Sequence, residues 1–223
     1  MPLEELAADL LPGPAGRPRV KICGCRTAAE VAWAAEVGAD AVGLILAPSP
    51  RRVSLERAAA AATAAPAGLA LVGVFVNPER AEVEMALARI PRLRLQFSGE
   101  EGSDFCGGFG RPYIKAVAVA EDGTGDPARR ASRHPGALIL LDTRSGRHGG
   151  SGRTFDWAGV SALARARPVV VSGGLRPDNV ARCLELLHPY GVDVRSGVEG
   201  AAGQDPGLVR DFVAVVRGAD GAA

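Results

Sequence analysis

The sequence predicts an α/β fold, a single eight-stranded parallel (β/α)8 TIM barrel, and three observations carry that expectation. Strand-like and helix-like segments alternate along nearly the whole chain, no long linker or change of composition divides it, and glycine turns follow the last two strand-like segments, one helix apart. Strands alternating with helices build a parallel sheet, and 223 residues suit one closed barrel of ordinary size. An open doubly wound sheet is the runner-up. Its dinucleotide-binding version needs G-x-G-x-x-G after the first strand, and Cys23-Gly24-Cys25-Arg26-Thr27 offers none.

Residues 1–18, MPLEELAADLLPGPAGRP, are acidic, broken by Pro and Gly, and lack the basic start and apolar centre of a secretory signal. They read as a tail or short capping segment ahead of a catalytic barrel over residues 19–219. RVKICG (19–24) is the first strand, and Thr27 with Glu30 forms a capping box that opens a helix reaching Gly38. A second strand (41–46) leads through APSPRR to an alanine-rich helix capped by Ser54 and ended before Pro66. After a third strand (71–76), Asn77 is the expected cap of a helix with Pro78 at its first position, ending before Pro91. Leu93, Leu95 and Phe97 alternate with polar residues in a fourth strand. SGEEGSDFCGGFGRP is a poor helix. Strands at 113–119 and 137–143 flank a short helix near 127–134, and the Gly-rich loop RSGRHGGSGR precedes a helix from about 155 to 166. That loop is not a P-loop, since Arg153 stands where Lys is required, and it reads as a mobile active-site loop. The strand Val169–Val171, a helix over 176–187, a strand at 191–194 and a final amphipathic helix at 205–217 complete the count.

Working residues of such a barrel come from the C-terminal ends of its strands. Cys23 shares a strand face with Lys21, and Asp142 shares one with Leu140, because alternate strand residues point the same way. Strands one and six lie three apart around the ring, so a thiol and a carboxylate there would flank a bound ligand as an acid/base pair. A free cysteine is often just a small buried hydrophobe. A carboxylate ending the apolar run ALILL, by contrast, needs a partner or a wet cavity. Gly173-Gly174 and Ser196-Gly197 bring free backbone N–H groups to two adjacent strand ends, which suits a phosphate dianion.

Composition narrows the partners. With 26 basic and 25 acidic residues the net charge is +1, which argues against nucleic acid or an anionic membrane as partner. No apolar run approaches a membrane span. Four scattered cysteines without C-x-x-C pairs, and three histidines without a cluster, argue against a metal site and a disulfide framework. The expected compartment is the cytoplasm. Of the 26 basic residues only Lys21 and Lys115 are lysines, which marks two strand positions where a slim ammonium fits and a guanidinium does not.

The segments VKICG, GADAVG, SPRRVS, VGVFVN, LLDT with GGSGRTFDW, VSGGLRPDNV and PYGVDVRSGVE resemble the phosphoribosylanthranilate isomerase family of tryptophan biosynthesis, in order, from residue 20 to about 211. The resemblance implies an eight-stranded barrel, no metal or redox cofactor, a small phosphorylated substrate, a monomer or homodimer, and an Amadori rearrangement. It implies Cys23 as general base, Asp142 as general acid, Arg51 as the holder of the anthranilate carboxylate with Arg52 as fallback, and Gly173, Gly174, Ser196 and Gly197 as the phosphate seat. Asp193 is expected near the ribose, and Gln96 among the substrate contacts. Two departures stand out. The family's Q-L-H-G appears as Gln96-Phe97-Ser98-Gly99, and its D-V-S-S-G as Asp193-Val194-Arg195-Ser196-Gly197. The competing functions are the related aminoaldose isomerase of histidine biosynthesis, which uses two aspartates, a dual-substrate form, and a non-catalytic barrel that binds a phosphorylated ligand.

Overall fold

The computed structural model describes residues 1–122, 125–143, 154–201 and 203–218. Eight strands, β1 (Arg19–Cys23), β2 (Ala41–Ile45), β3 (Ala70–Phe75), β4 (Arg94–Phe97), β5 (Tyr113–Val119), β6 (Ala137–Thr143), β7 (Val169–Val171) and β8 (Gly191–Val194), form a closed barrel in chain order. Every neighbouring pair is parallel, and β8 pairs with β1 to close the ring. The strands are short, apolar and rich in Val, Leu and Ile, as strands covered on both faces must be.

Helix α1 (Leu3–Leu10) precedes the barrel. α2 (Ala28–Glu36), α3 (Leu55–Ala62), α4 (Arg80–Arg89), α5 (Ser103–Gly107), α6 (Pro127–Ser132), α7 (Ser161–Ala166), α8 (Val180–Leu187) and α9 (Pro206–Gly218) alternate with the strands outside it. A two-stranded ribbon, β9 (Glu199–Gly200) with β10 (Gly203–Gln204), follows β8. The capping box of α2 is present, with Glu30 N–H donating to Thr27 Oγ1 at 3.2 Å and Thr27 N–H to Glu30 Oε2 at 3.0 Å. Ser54 caps α3 by accepting from Arg57 N–H.

Three helix starts differ from expectation. α4 begins after Glu79, not Asn77. Asn77 sits at φ 45°, a left-handed conformation Asn tolerates, and its Oδ1 accepts from Glu100 N–H at 2.8 Å across the next loop. α8 begins at Val180, because Asn179 Oδ1 takes the Arg176 N–H at 2.8 Å and holds residues 176–179 as a turn. α7 begins at Ser161, after one 3₁₀ turn over Ala158–Val160.

The opening segment, expected as a tail or short cap, is a helix that closes one end of the barrel. Leu6, Ala7, Leu10 and Leu11 are buried in one apolar cluster with the inward-facing Ala41, Ala70, Val72, Ile114, Leu138, Leu140 and Val170. Its carbonyl end is fastened by side chains of the barrel: Tyr190 Oη donates to Leu11 O at 2.9 Å, and Arg94 Nε to Asp9 O at 2.6 Å. The larger core lies between barrel and outer helices, where Val20, Ile22, Val42, Leu44, Leu71 and Leu95 meet Val31, Val83, Val180 and Phe212. Among the described residues no helix is long and apolar enough to cross a membrane.

Candidate active site

Strict alternation along β1 sends Val20 and Ile22 outward into the core and leaves Lys21 and Cys23 inside the barrel. In register, Cys23 stands opposite Gly43 of β2. A Cβ at position 43 would lie 2.8 Å from Cys23 Sγ and 3.2 Å from Lys21 Nζ, so glycine makes the room that both side chains occupy. Lys21 is fully buried, and its Nζ donates to Asp193 Oδ1 at 2.7 Å. Ser172, at the end of β7, donates to the other Asp193 oxygen at 3.2 Å. Burial alone would lower the Lys21 pKa, but the Asp193 carboxylate and the neighbouring thiol outweigh it and hold it above its ordinary value.

The Cys23 pKa is held above its ordinary value. Burial is the largest influence and pushes the thiol up; Lys21 and Arg195 pull it down, while Asp193 adds to the rise. Asp142, on the inner face of β6, is raised from an ordinary 3.8 to about 6, first by burial and next by the Asp193 charge, against Arg195, the Thr143 N–H and Lys21. A carboxyl group near 6 keeps a usable proton close to neutral pH.

The glycine turns have distinct spatial reasons. Gly173 has φ 85°, and a Cβ there would stand 2.2 Å from Thr143 Oγ1 and 2.9 Å from Asp142 Oδ1. The β7 turn therefore runs hard against the end of β6. A Cβ on Gly197 would fall 1.8 Å from the Leu175 carbonyl oxygen, so the β8 turn, a 3₁₀ turn over Ser196–Val198, packs onto the β7 turn. Gly174 (φ 64°) presents its carbonyl to Asn179 Nδ2 at 2.9 Å.

A cavity of about 610 Å³ opens at this end of the barrel. Of the residues expected from sequence, Cys23, Gln96, Asp142, Gly173, Gly174, Asp193 and Ser196 all line it. Gly197 does not, since it is turned towards Leu175. Arg51 does not either: both prongs of its guanidinium are taken by Glu199. Arg52 is exposed. Opposite the glycine turns, Ile45, Ala47, Val74 and Val76 make an apolar wall. Gln96 donates through Nε2 to Ser98 Oγ at 3.2 Å, so Ser98 holds the glutamine amide.

Sequence reasoning missed Ser172 and the closed Lys21–Asp193–Ser172 chain. The signal was available in the register, since Lys21 pairs with Asp193 across β1 and β8. Cys25, Cys106 and Cys183 are free and buried in the outer core. Lys115 also points outward, donating to Glu101 Oε2 at 3.1 Å and to two carbonyls of the β4 turn. Its slim ammonium fits there because it satisfies a buried carboxylate and strand-end carbonyls together. The loop RSGRHGGSGR, expected as a mobile active-site loop, lies outside the described residues.

A closed parallel barrel with one polar cavity at the carboxyl ends of its strands is the architecture of (β/α)8-barrel enzymes. Residues 20–215 match the family described as N-(5'phosphoribosyl)anthranilate (PRA) isomerase. An N-(5'-phosphoribosyl)anthranilate isomerase of Pseudomonas aeruginosa is 44% identical over 203 residues, covering 89% of this chain and 95% of that protein. The crystal structure of the Thermotoga maritima phosphoribosyl anthranilate isomerase superposes with a TM-score of 0.83 at 35% identity, covering 90% of this chain and 99% of that one. A structure of such an isomerase with reduced 1-(o-carboxyphenylamino)-1-deoxyribulose 5-phosphate matches at TM-score 0.79 and 32% identity, with 90% and 99% coverage. The chain belongs to the N-(5'-phosphoribosyl)anthranilate isomerase family.

Proposed function

We propose that this cavity isomerises N-(5'-phosphoribosyl)anthranilate to 1-(o-carboxyphenylamino)-1-deoxyribulose 5-phosphate in tryptophan biosynthesis, with Asp142 as general acid and Cys23 as general base. The observation that carries the reading is that these two side chains reach one cavity from β1 and β6, with glycine turns on its rim and an apolar wall across from them. The backbone N–H groups of Gly173, Gly174 and Ser196, on the rim of the cavity, hold the phosphate. The wall of Ile45, Ala47, Val74 and Val76 takes the flat aryl ring.

Asp142 gives its proton to the ribose ring oxygen, the ring opens, and a cationic Schiff base forms at carbon one. That cation adds to the positive charge of Lys21 and Arg195 beside Cys23 and offsets the burial, so the thiol releases its proton to water at the cavity mouth and stands as thiolate. The thiolate removes the proton at carbon two to give an enolamine, which takes a proton at carbon one and gives up its carbon-two hydroxyl proton, becoming the ketone. Lys21, tied to Asp193, stays charged throughout and favours the thiolate. Arg51 exchanges Glu199 for the anthranilate carboxylate, a planar fork meeting two oxygens in either case. The protein acts in the cytoplasm as a monomer or homodimer, without nucleic acid, membrane, metal or redox cofactor.

Growth of a tryptophan auxotroph carrying the gene, together with turnover by the purified protein, tests this reading. Rescue by the wild type and none by Cys23→Ala or Asp142→Asn is expected. Rescue of a histidine auxotroph instead, or growth that survives both substitutions, overturns it.

A further inference from the structure

Arg195 is a place where this chain leaves the family pattern, and the structure puts its side chain on the cavity wall. Its Cγ and Cδ lie 3.7 Å from where a Cβ on Gly24 would stand, and Arg51 Cδ lies 3.6 Å from the same point. Gly24 has φ 88° and carries no side chain, so the two arginine stems flank one bare turn at the end of β1. They arrive from opposite sides, Arg51 from the loop after β2 and Arg195 from the end of β8.

The charges around Cys23 are otherwise matched. Lys21 is paired with Asp193 at 2.7 Å, and Arg51 is paired with Glu199. Among the described residues Arg195 makes no ion pair, and its Nε is buried without a hydrogen-bond partner. A buried guanidinium N–H without an acceptor costs free energy unless a ligand supplies one. A cationic guanidinium donor suits an anionic acceptor, through a charge-assisted hydrogen bond. The phosphate seat at Gly173, Gly174 and Ser196 lies on the β7 side of the Arg195 backbone, whereas the side chain crosses to the β1 turn and Arg51.

We propose that Arg195 is a second carboxylate-binding residue, which with Arg51 forms a two-arginine clamp on the aryl carboxylate of the substrate. This rests on the function proposed above. One arginine bound to Glu199 must exchange anions to bind substrate, and a second guanidinium alongside gives the incoming carboxylate a contact before that exchange is complete. The aryl carboxylate then bridges two cations.

The test is a pair of inert ligands, reduced 1-(o-carboxyphenylamino)-1-deoxyribulose 5-phosphate and the same compound without the ring carboxylate, titrated calorimetrically into wild type, Arg195→Ser and Arg195→Lys. Arg195→Ser should weaken the carboxylate-bearing ligand about tenfold, the lower range for a charge-assisted hydrogen bond. Its affinity for the decarboxylated ligand and for inorganic phosphate should change less than about twofold, within what a surface substitution does. Arg195→Lys, which keeps the charge and the stem, should recover part of the loss. Equal weakening of both ligands would assign Arg195 to the phosphate or to the fold and overturn the proposal, as would no weakening of either. A wild type that turns substrate over while Arg195→Ser discriminates no carboxylate sinks this inference alone; a wild type that binds neither ligand sinks the proposed function, and this inference with it.

Discussion

The two ends of the barrel are made from the same strands and carry opposite physics. At the closed end, α1 inserts Leu6, Leu10 and Leu11 against Ala41, Val72, Ile114, Leu138 and Val170, and the guanidinium groups of Arg19 and Arg94 there are spent on backbone carbonyls of the opening segment. At the open end, Cys23, Asp142, Asp193 and Arg195 line a cavity, with Lys21 buried behind them on Asp193, and burial pushes the pKa values of Cys23 and Asp142 up. Lys21 shows how abruptly the change comes: it pairs in register with Ala41 of the apolar layer on one side and Asp193 on the other. One end stabilises the fold, and the other holds titratable groups in states that water would not allow them. A substitution should therefore damage either stability or turnover, according to its end.

The sharpest separation is expected at Asp142 and Cys23. Asp142→Asn and Cys23→Ala should each lower turnover by about 10²–10⁴-fold, the usual share of a positioned acid or base. Affinity for the inert reduced product should stay nearly unchanged, since neither group forms the phosphate seat. Steady-state kinetics with calorimetry of that ligand checks both numbers. A variant with wild-type turnover would remove the acid/base pair from the open end.

At the closed end the next largest effect is expected from Leu10→Ala. Leu10 is 1% exposed and packed inside the apolar cluster, and such truncations cost about 2–5 kcal/mol. Urea unfolding should show that loss while the folded fraction keeps its turnover number. If turnover falls in step with stability, the two ends are coupled and the division drawn above fails.

How far the sequence announced this division depends on the kind of interaction. The strands were legible because period-two alternation and β-branched runs are local, and β5, β6, β7 and β8 fall where that pattern puts them. The gathering of Cys23, Asp142, Gly173, Gly174 and Ser196 at a single cavity was legible because the carboxyl ends of barrel strands converge on one mouth. Asn77 was misjudged as a cap because its side chain reaches forward to the Glu100 N–H, a contact made by a neighbouring loop. The role of α1 was hidden too. Its leucines look like any amphipathic stripe, and only the narrow mouth of a closed ring decides that they fill it. Ser172 and the grip of Glu199 on Arg51 arise from residues brought together by closure, at separations of 21 and 148 positions.

A smaller effect is expected at the rim. Arg51→Ala should raise KM through about 1–3 kcal/mol of lost charged hydrogen bonding, with little change in turnover number. Glu199 would then be left without its partner, so Arg51→Ala with Glu199→Gln should recover stability without recovering affinity. Initial-rate kinetics over a range of substrate concentrations separates the two constants, and an unchanged KM would detach Arg51 from the substrate.

The subtlest consequence of the contrast is that the open end should cost stability in a pH-dependent way. The folded-state pKa of Asp142, about 6, lies above its ordinary 3.8, so the folded state binds this proton more tightly than the unfolded chain does. Below about pH 3 both states are protonated and the penalty is absent; between about pH 4 and 6 the unfolded chain ionises while the folded one does not and is favoured progressively, and above that the cost is constant. Asp142→Asn mimics the protonated acid at every pH. It should therefore raise stability at pH 7.5 by about 1–3 kcal/mol, the linkage value of a shift of this size, and by only about half a kcal/mol near pH 4. Urea midpoints of wild type and variant from pH 4 to 8 measure the difference. Parallel curves would mean that Asp142 titrates as it does in water, and that the open end carries no stored cost at this position.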